Sequence, residues 1–259
     1  TAANVFEATV DGSSSDALRF EQVIDEGETI ARGEYSWSPS DGRDWTISLE
    51  GAFNFLEADS AFFRGDAPTA LVLQGDGRTT TRVEENRAEL FVTHGRKLSE
   101  KLTVQAALGV ELSEIMAGGA SEAQTFTRPK GFLSAAYEVS DKLTINTKVE
   151  REVGQLNFFD FISSVNVRQG NSNTGNPEIV PQQSWLGEVE FERDLGDFGA
   201  GTLRFYYEDI EDIVDRIPFG PTSEGPGNLP SAERFGVELD ATFKFDRVGW
   251  KGAQLQADQ

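Results

Sequence analysis

The strongest constraint on this chain is a long alternation of apolar and polar residues. Between Arg234 and Phe245 every odd position is apolar, and the even positions are charged, hydroxyl-bearing or glycine. Successive side chains of a β-strand point to opposite faces, so this segment predicts a strand with one apolar and one charged face. Residues 44–57 and 102–115 alternate in the same way. Strands of about a dozen residues are too long for an ordinary β-sandwich, whose strands have roughly 5–6.

The connections between the predicted strands alternate in length. Short turns are predicted at 39–43, 97–101, 140–142, 195–200 and 246–252, and long loops at 58–79, 116–125, 154–181 and 216–231. The strands between them are predicted at 3–10, 16–24, 28–38, 44–57, 80–96, 102–115, 126–139, 143–153, 182–194, 201–215, 232–245 and from 253 onward. Short turns on one side and long loops on the other are typical of outer-membrane barrels. The pattern therefore predicts an all-β fold, an incomplete antiparallel transmembrane β-barrel of about twelve strands with short periplasmic turns and long extracellular loops.

Aromatic residues recur on the apolar rows close to the short turns: Tyr35, Trp37, Trp45, Tyr137, Phe191, Phe243 and Phe245. Amphipathic aromatic side chains favour the interface depth of a bilayer. The alternative is ordinary core packing in a soluble β-protein. A charge on a lipid-facing row would cost about 2–4 kcal/mol at the bilayer midplane, and these rows are nearly free of charge except at loop ends, as at Arg151.

Composition removes several classes of function. The sequence contains no apolar run of about 20 residues, so no membrane-spanning helix is predicted. Cysteine is absent, which excludes disulfides and thiolate metal sites. The formal net charge of -21 argues against nucleic-acid binding, which needs a basic surface. The acidity indicates either solvated loops and turns or an acidic vestibule that handles cations.

Three motifs follow one another in the second half of the chain. They are Gly175-Asn176-Pro177-Glu178-Ile179-Val180-Pro181-Gln182-Gln183-Ser184, Tyr207-Glu208-Asp209-Ile210-Glu211-Asp212-Ile213 and Ala232-Glu233-Arg234-Phe235-Gly236-Val237-Glu238-Leu239. In order and spacing they resemble consecutive signatures of the TonB-dependent outer-membrane receptors: a Gly-Asn-Pro-x-Leu-x-Pro-Glu segment, a Tyr-x-x-Asp-Ile-x-Asp run and a Gly-Val-Glu-Leu core. Ile179 and Gln182 stand where the family usually has Leu and Glu.

The resemblance implies a plugged barrel of about 22 strands that imports scarce nutrients. Residues 1–259 are then expected to be part of one β-barrel domain, with the N-terminal plug and the final strands absent from this chain. The expected partners are outer-membrane lipid, a small-molecule or oligosaccharide ligand and, through the plug, the inner-membrane TonB energy-transducing complex. The expected location is the bacterial cell outer membrane.

Few residues suggest catalysis. The single histidine, His94, stands at the periplasmic end of a strand, and it is expected to be a surface or interface residue rather than a ligand or base. Carboxylates on the strands repeat at period two, as in Glu188, Glu190 and Glu192. This repeat indicates a row that faces the lumen and not a catalytic pair. We therefore predict no enzyme activity and no cofactor.

Oxygen ligands for calcium could come from Asp209, Glu211 and Asp212. A polar strand end beside a loop is the more common meaning of such a cluster. The sequence therefore predicts no metal site.

The best candidates for ligand contact lie in the loops. Aromatic rings there could stack on a ligand and polar side chains could hydrogen-bond it; the candidates are Phe158, Phe159, Phe161, Arg168, Asn171, Asn173 and Arg64. The alternative is that the phenylalanines pack the loop 154–181 against the barrel mouth or the plug.

The predicted function is active uptake of a large scarce solute, such as a siderophore, a corrinoid or an oligosaccharide, by a TonB-dependent receptor. A passive porin-like or structural outer-membrane barrel is the alternative. A soluble carbohydrate-binding β-protein is the third possibility.

Overall fold

The computed structural model of this chain describes residues 2–9, 17–66, 69–118, 122–162, 164–166, 171–173, 175–220 and 223–258. Within these ranges it contains thirteen strands and three short 3₁₀ helices, Phe158–Phe161, Gly196–Phe198 and Asp246–Val248. The strands are β1 (Ala2–Thr9), β2 (Ala17–Ser40), β3 (Arg43–Gly65), β4 (Val72–Ser99), β5 (Leu102–Ala117), β6 (Gln124–Ser140), β7 (Leu143–Val153), β8 (Ser164–Asn166), β9 (Asn171–Asn173), β10 (Gln183–Asp194), β11 (Gly199–Pro218), β12 (Ser223–Lys244) and β13 (Gln254–Asp258).

All the described strands belong to one sheet. Neighbours along the chain pair antiparallel from β1 to β7 and from β10 to β13, and β7 pairs directly with β10. The three-residue strands β8 and β9 lie outside this run, and β9 pairs parallel with the start of β12. We call the other eleven strands, all except β8 and β9, the wall strands. Among the described residues β1 and β13 do not pair with each other, so the sheet is open.

The wall has two faces of different chemistry. Residues directly opposed on neighbouring strands share a face, and the predicted apolar rows meet in this way on one side. We call this side the apolar face; its large exposed residues include Tyr35, Leu49, Leu90, Leu108, Leu133, Val149, Trp185, Phe205 and Phe235. The opposite side, the polar face, carries Glu50, Arg87, Glu111, Lys130, Lys148, Glu188, Arg204 and Glu238. The period-two prediction is therefore confirmed.

The structure has one strand, β2, where the sequence predicts two. The sequence predicts separate strands at 16–24 and 28–38, but the structure has one strand, Ala17–Ser40. Gly27 continues this strand because it lies opposite Phe55 of β3. A Cβ added at Gly27 would lie 2.5 Å from Cε1 of the Phe55 ring. The ring covers the glycine, which is a known way to stabilise a glycine within a strand.

Strands also extend into segments that the sequence predicts as loops. β3 ends at Gly65 and β4 begins at Val72, so most of the predicted loop 58–79 is strand. β11 and β12 shorten the predicted loop 216–231 in the same way. These extensions carry polar residues on both faces, and a segment without alternation is easily taken for a loop. Their ladder hydrogen bonds nevertheless keep them in the hairpins.

The two edges of the wall differ in their connections, although three of the four predicted long loops are shortened to between four and six residues. Short turns join the strands at residues 41–42, 100–101, 141–142, 195–198 and 245–253, and we call this the turn edge. Gly42 and Gly196 adopt φ angles of 68° and 63° in these turns, a left-handed conformation that glycine takes without a steric penalty. The opposite edge, the loop edge, holds the connection 154–182 between β7 and β10.

An aromatic stack lies on the apolar face at the turn edge. Its ring centroids are 5.7 Å apart from Tyr35 to Trp37, 6.0 Å from Trp37 to Trp45 and 4.1 Å from Trp45 to His94. His94 is therefore a packed residue of the wall surface. Phe245 departs from the prediction slightly, because it begins the last turn instead of ending β12.

The main apolar cluster of the described residues lies on the polar face near the loop edge. Wall residues Ile24, Leu56, Ala58, Val83, Ile115 and Ala117 pack there with Phe161 and Ile162 of the connection 154–182. Leu56 and Val83 are fully buried. The connection therefore folds back over the wall instead of projecting away from it.

Candidate ligand-binding site

Cations on the polar face are bracketed by carboxylates of neighbouring strands. Lys130 Nζ lies 2.6 Å from Glu89 Oε2 and 3.0 Å from Glu111 Oε2. Arg204 lies 2.6 Å from Glu188. The side chains of Lys130 and Glu111 are 18% and 7% exposed, and those of Arg204 and Glu188 are 30% and 21% exposed, so these pairs are largely shielded from solvent. Their main consequence is a hydrophilic wall whose charges are held in fixed positions.

The first half of the connection 154–182 is anchored by apolar packing. Asn157 Oδ1 accepts a hydrogen bond of 3.1 Å from the Phe159 backbone N–H and so caps the short helix Phe158–Phe161. Phe161 and Ile162 enter the apolar cluster and are 4% and 3% exposed. The Phe158 ring packs edge-on against Phe161, with centroids 6.3 Å apart.

The second half of the connection is held by two asparagine side chains. Asn176 Nδ2 donates to the Pro226 carbonyl at 3.0 Å. Asn228 Nδ2 donates to the carbonyls of Val180 at 2.9 Å and Asp212 at 2.7 Å, while its Oδ1 accepts from the Val180 N–H at 2.9 Å. Asp212 has a φ of 55° and interrupts the pairing of β11 with β12, which resumes in the same register at Ile213. Asn228 thus ties the connection to this interruption of β11.

The first two motifs of the sequence are structural parts of this attachment. Ile179 and Ile210 are both fully buried. Gln124 Nε2 of β6 donates to the Pro177 carbonyl at 2.5 Å. The segment 175–182 therefore lies against the wall, fixed from β6 on one side and from β12 on the other.

A cavity of about 420 Å³ opens between the first half of the connection and the wall. Phe158 and Phe159 line one side of it, and Glu26, Glu28 and Glu85 line the other. Neither Lys nor Arg is among the described residues that line it. The cavity combines an apolar aromatic surface with hydrogen-bond acceptors, which suits a solute with an apolar side and several donors.

The wall side of this cavity follows from strand register. Glu28, Asn54 and Glu85 are directly opposed on β2, β3 and β4, and Asn54 Nδ2 donates to Glu85 Oε2 at 3.0 Å. The sequence does not point to these residues, because it predicts two strands, 16–24 and 28–38, in place of the continuous β2. Period-two register across one continuous β2 would have placed them together.

The predicted site residues are not all brought together. Phe158 and the exposed Phe159 share the cavity, whereas Phe161 is buried in the apolar cluster. Arg64 lies near the end of β3, eight residues beyond Leu56, or roughly 26 Å along the strand. Ligand contact by these residues stays a prediction.

The remaining candidates lie in the middle of the connection. Strand β9 begins at Asn171 and ends at Asn173, and its backbone pairs with β8 and with the start of β12. Arg168 lies outside the described residues. A role for these three in ligand contact likewise stays a prediction.

A backbone hydrogen bond at Asp160 links the two halves of the connection. The Asp160 carbonyl accepts a hydrogen bond of 3.0 Å from the Asn176 N–H. Burial raises the pKa of the Asp160 side chain above its ordinary value of 3.8, and the positive charge of Arg216 partly offsets this effect. The connection therefore holds this acidic group in partly desolvated surroundings.

Within the described ranges no group of three or more His, Asp or Glu side chains is arranged to hold a metal ion. Of the acidic residues considered for calcium, Glu211 pairs with Arg151 at 3.0 Å. No helix in the described part of the chain is long and apolar enough to span a membrane.

Several solved structures share this fold. The copper transporter OprC superposes with a TM-score of 0.68 at 12% identity over 94% of this chain. The ferric citrate transporter FecA in its unliganded form gives 0.61 at 10% identity over 94% of the chain. The ferripyoverdine receptor of the outer membrane of Pseudomonas aeruginosa, bound to ferripyoverdine, gives 0.58 at 11% identity over 99%.

The chain spans 41%, 35% and 36% of the lengths of these three proteins. Identities this low establish a common fold, a partial receptor barrel, and not a common ligand. No curated protein sequence matches the chain.

A protein-family model for the TonB-dependent receptor-like β-barrel matches residues 6–258. Members of this family are outer-membrane barrels that act as receptors and transporters, not enzymes. The resemblance that the three motifs indicated is therefore confirmed, and the match extends over almost the whole sequence. The chain belongs to the TonB-dependent receptor-like β-barrel family.

Proposed function

We propose that this chain forms part of the barrel wall of a TonB-dependent receptor that actively imports a large scarce solute across the bacterial outer membrane. The observation that carries the proposal is the two-faced wall. Its exposed apolar face suits acyl chains, and its ion-paired polar face suits an aqueous lumen. Residues 1–259 are then part of one barrel domain.

Active uptake requires an energy source outside this chain. We assign this role to the inner-membrane TonB complex, acting through a plug in the lumen, because the family match covers nearly the whole chain. The cargo is a siderophore, a corrinoid or an oligosaccharide. A net charge of -21 leaves no support for a nucleic-acid partner.

The loop-edge cavity is the proposed ligand contact. Phe158 and Phe159 offer ring surfaces to a solute, and Glu28 and Glu85 accept hydrogen bonds from it. The three carboxylates of the cavity favour a neutral or cationic solute over a strongly anionic chelate. Arg64, Phe161, Arg168, Asn171 and Asn173 remain candidates for a larger cargo that extends beyond the cavity.

Growth and uptake assays test the proposal. A strain that lacks the receptor is compared with one that lacks the TonB system, on ferric siderophore, corrinoid or oligosaccharide as the limiting nutrient. We expect both strains to lose the ability to take up, and to grow on, the same nutrient. Uptake that continues without the TonB system would instead indicate a passive porin-like barrel, and recovery of the full-length protein in the aqueous fraction without detergent would indicate a soluble carbohydrate-binding protein.

Substitution tests the cavity itself. Phe159→Ala should weaken binding of the identified nutrient by up to about tenfold, as loss of one aromatic contact predicts. Phe198→Ala is the matched control, because Phe198 is equally exposed but lies in a short turn at the other edge of the wall. Equal affinity of the two variants would remove Phe159 from the site.

A further inference from the structure

The loop-edge cavity, the space of about 420 Å³ between the connection and the wall, contains carboxylates without cationic partners. Elsewhere on the polar face carboxylates bracket cations, as they do at Lys130 and Arg204. In the cavity, Glu26, Glu28 and Glu85 form no ion pair with a cation among the described residues. A solute that enters the cavity therefore meets negative charge that the wall leaves uncompensated.

The arginine nearest to Glu85 on the same face of β4 is held by other partners. Arg87 Nη2 lies 3.2 Å from Glu50 Oε1, and the Arg87 side chain is only 7% exposed. The Gln155 amide, oriented with its oxygen towards the guanidinium, accepts a further hydrogen bond from Arg87. Arg87 is also not among the residues that line the cavity. It therefore does not supply the missing positive charge.

Strand register fixes the spacing of the three carboxylates. Glu28 and Glu85 flank Asn54 on the two neighbouring strands, so two strand spacings separate their backbones by roughly 10 Å. Glu26 follows on the same face of β2, directly opposite Leu56. Asn54 Nδ2 donates to Glu85 Oε2 at 3.0 Å, which holds this carboxylate in place. The carboxylates therefore frame a space about as wide as one small organic group.

The rest of the cavity lining is largely apolar. Leu56, Leu156, Phe158 and Phe159 all line it, and Phe159 is 44% exposed. An ammonium or guanidinium group within about 6 Å of the face of an aromatic ring is attracted by the ring quadrupole. Aromatic rings and carboxylates therefore favour the same kind of solute group, a cation attached to an apolar stem.

Desolvation excludes the other classes of solute. A solute that fills the cavity displaces water from the carboxylates, and this loss is costly unless an opposite charge replaces the water. A neutral group leaves the cost uncompensated, and an anionic group adds repulsion. An inorganic cation such as Mg²⁺ keeps much of its own water and gains nothing from the leucines. The described residues also contain no group of three or more His, Asp or Glu side chains arranged to hold a metal ion.

We propose that the loop-edge cavity selects a cargo by an ammonium or guanidinium group that the cargo carries on an apolar stem. The cation lies between Glu28 and Glu85, and the stem lies against Phe158 and Phe159. The inference rests on the proposed function, which makes this cavity a cargo contact. It narrows the cargo to solutes whose entering end is an organic cation.

Probes with one six-carbon chain test the inference on the full-length receptor in non-ionic detergent. Hexamethylenediamine, hexanediol and adipate differ in the charge of their ends, and Mg²⁺ carries the charge of the diamine without its chain. Isothermal titration calorimetry at low ionic strength measures their binding. The diamine should bind about tenfold more tightly than the diol. Adipate should not bind, and Mg²⁺ should bind more weakly than the diamine.

Glu85→Gln removes one charge and keeps an acceptor for Asn54. It should weaken diamine binding by up to about fivefold and leave diol binding unchanged. Glu190→Gln is the matched control, because Glu190 also accepts from an asparagine on the polar face, Asn146 at 3.1 Å, but does not line the cavity. This control should bind the diamine like wild type. Glu28→Gln replaces Glu85→Gln if that variant loses the heat-modifiable migration of a folded barrel.

Four results would overturn the inference: no measurable binding of the diamine, equal affinity for diamine and diol, binding of Mg²⁺ as tight as that of the diamine, or wild-type diamine affinity in the folded glutamine variant. Each leaves the proposed function intact if uptake of the identified nutrient still requires the TonB system. Uptake without the TonB system, together with the expected preference for the diamine, would refute the proposed function alone.

Discussion

Three glycines in this wall lie beneath aromatic rings of the neighbouring strand. Phe55 covers Gly27, Phe91 covers Gly109 and Tyr206 covers Gly236, each as a directly opposed pair. An added Cβ would lie 2.7 Å from Phe91 Cδ2 at Gly109 and 2.6 Å from Tyr206 Oη at Gly236. This pairing accounts for Phe91, an aromatic residue on the polar face of β4.

Gly109→Ala tests this explanation. The new Cβ would lie 2.7 Å from the Leu90 carbonyl oxygen as well as from the Phe91 ring, so the wall must shift, at a cost of about 1–3 kcal/mol. Gly33→Ala is the control, because nothing lies within 4 Å of its added Cβ and such a change can stabilise by about 0.4–1 kcal/mol. Urea unfolding of the full-length receptor in detergent measures both. Equal stability of the two variants would contradict the role of the ring.

Individual site residues were only partly predictable. Phe158 and Phe159 stand out in the sequence because exposed aromatics in a loop suggest contact with a ligand. Glu28 and Glu85 do not, since each is one of many carboxylates and only strand register brings them together. The burial of Phe161 depends on the path of an irregular segment, which alternation does not describe.

Among the elements, the wall strands were predicted best where only one of their faces is apolar. The interiors of β3, β5 and β12 follow from period two because each has one apolar and one polar row. The ends of β3 and β4 at the loop edge do not, because polar and apolar residues are mixed on both of their faces. The connection 154–182 is held by side-chain amides and a small apolar cluster, which leave no periodic trace in the sequence.

Asn228 is the residue on which the second half of that connection most depends. Asn228→Ala removes the partners of the Val180 N–H and of the Val180 and Asp212 carbonyls. An unpaired buried backbone group costs about 1–3 kcal/mol, so the Val180 amide should exchange with solvent one to two orders of magnitude faster. Hydrogen exchange with mass spectrometry measures this rate.

Asn146→Ala provides the control for that measurement. Asn146 Nδ2 donates to Glu190 Oε1 at 3.1 Å within the wall and does not contact the connection. Exchange at Val180 should remain at the wild-type rate in this variant. A wild-type rate in Asn228→Ala would show that the connection is held by its apolar cluster alone.

At the largest scale, the wall strands form one sheet whose two faces suit two different solvents. Large residues such as Phe235, which is 80% exposed, would be unfavourable on the surface of a soluble protein. The polar face pairs cations with carboxylates and leaves them partly accessible to solvent, as an aqueous lumen allows. Lipid on one side and water or a hydrophilic plug on the other account for both rows at once.

Site-directed spin labelling along β12 tests this central claim most directly. The chain contains no cysteine, so single substitutions give unique labels in a full-length receptor whose other segments are also free of cysteine. Labels at Phe235, Val237 and Leu239 are compared with labels at Glu238 and Asp240 in lipid bilayers. We predict that oxygen accessibility, which reports lipid exposure, is high at the three odd positions and low at the two even ones. Equal accessibility of both rows, or low accessibility throughout, would contradict the account.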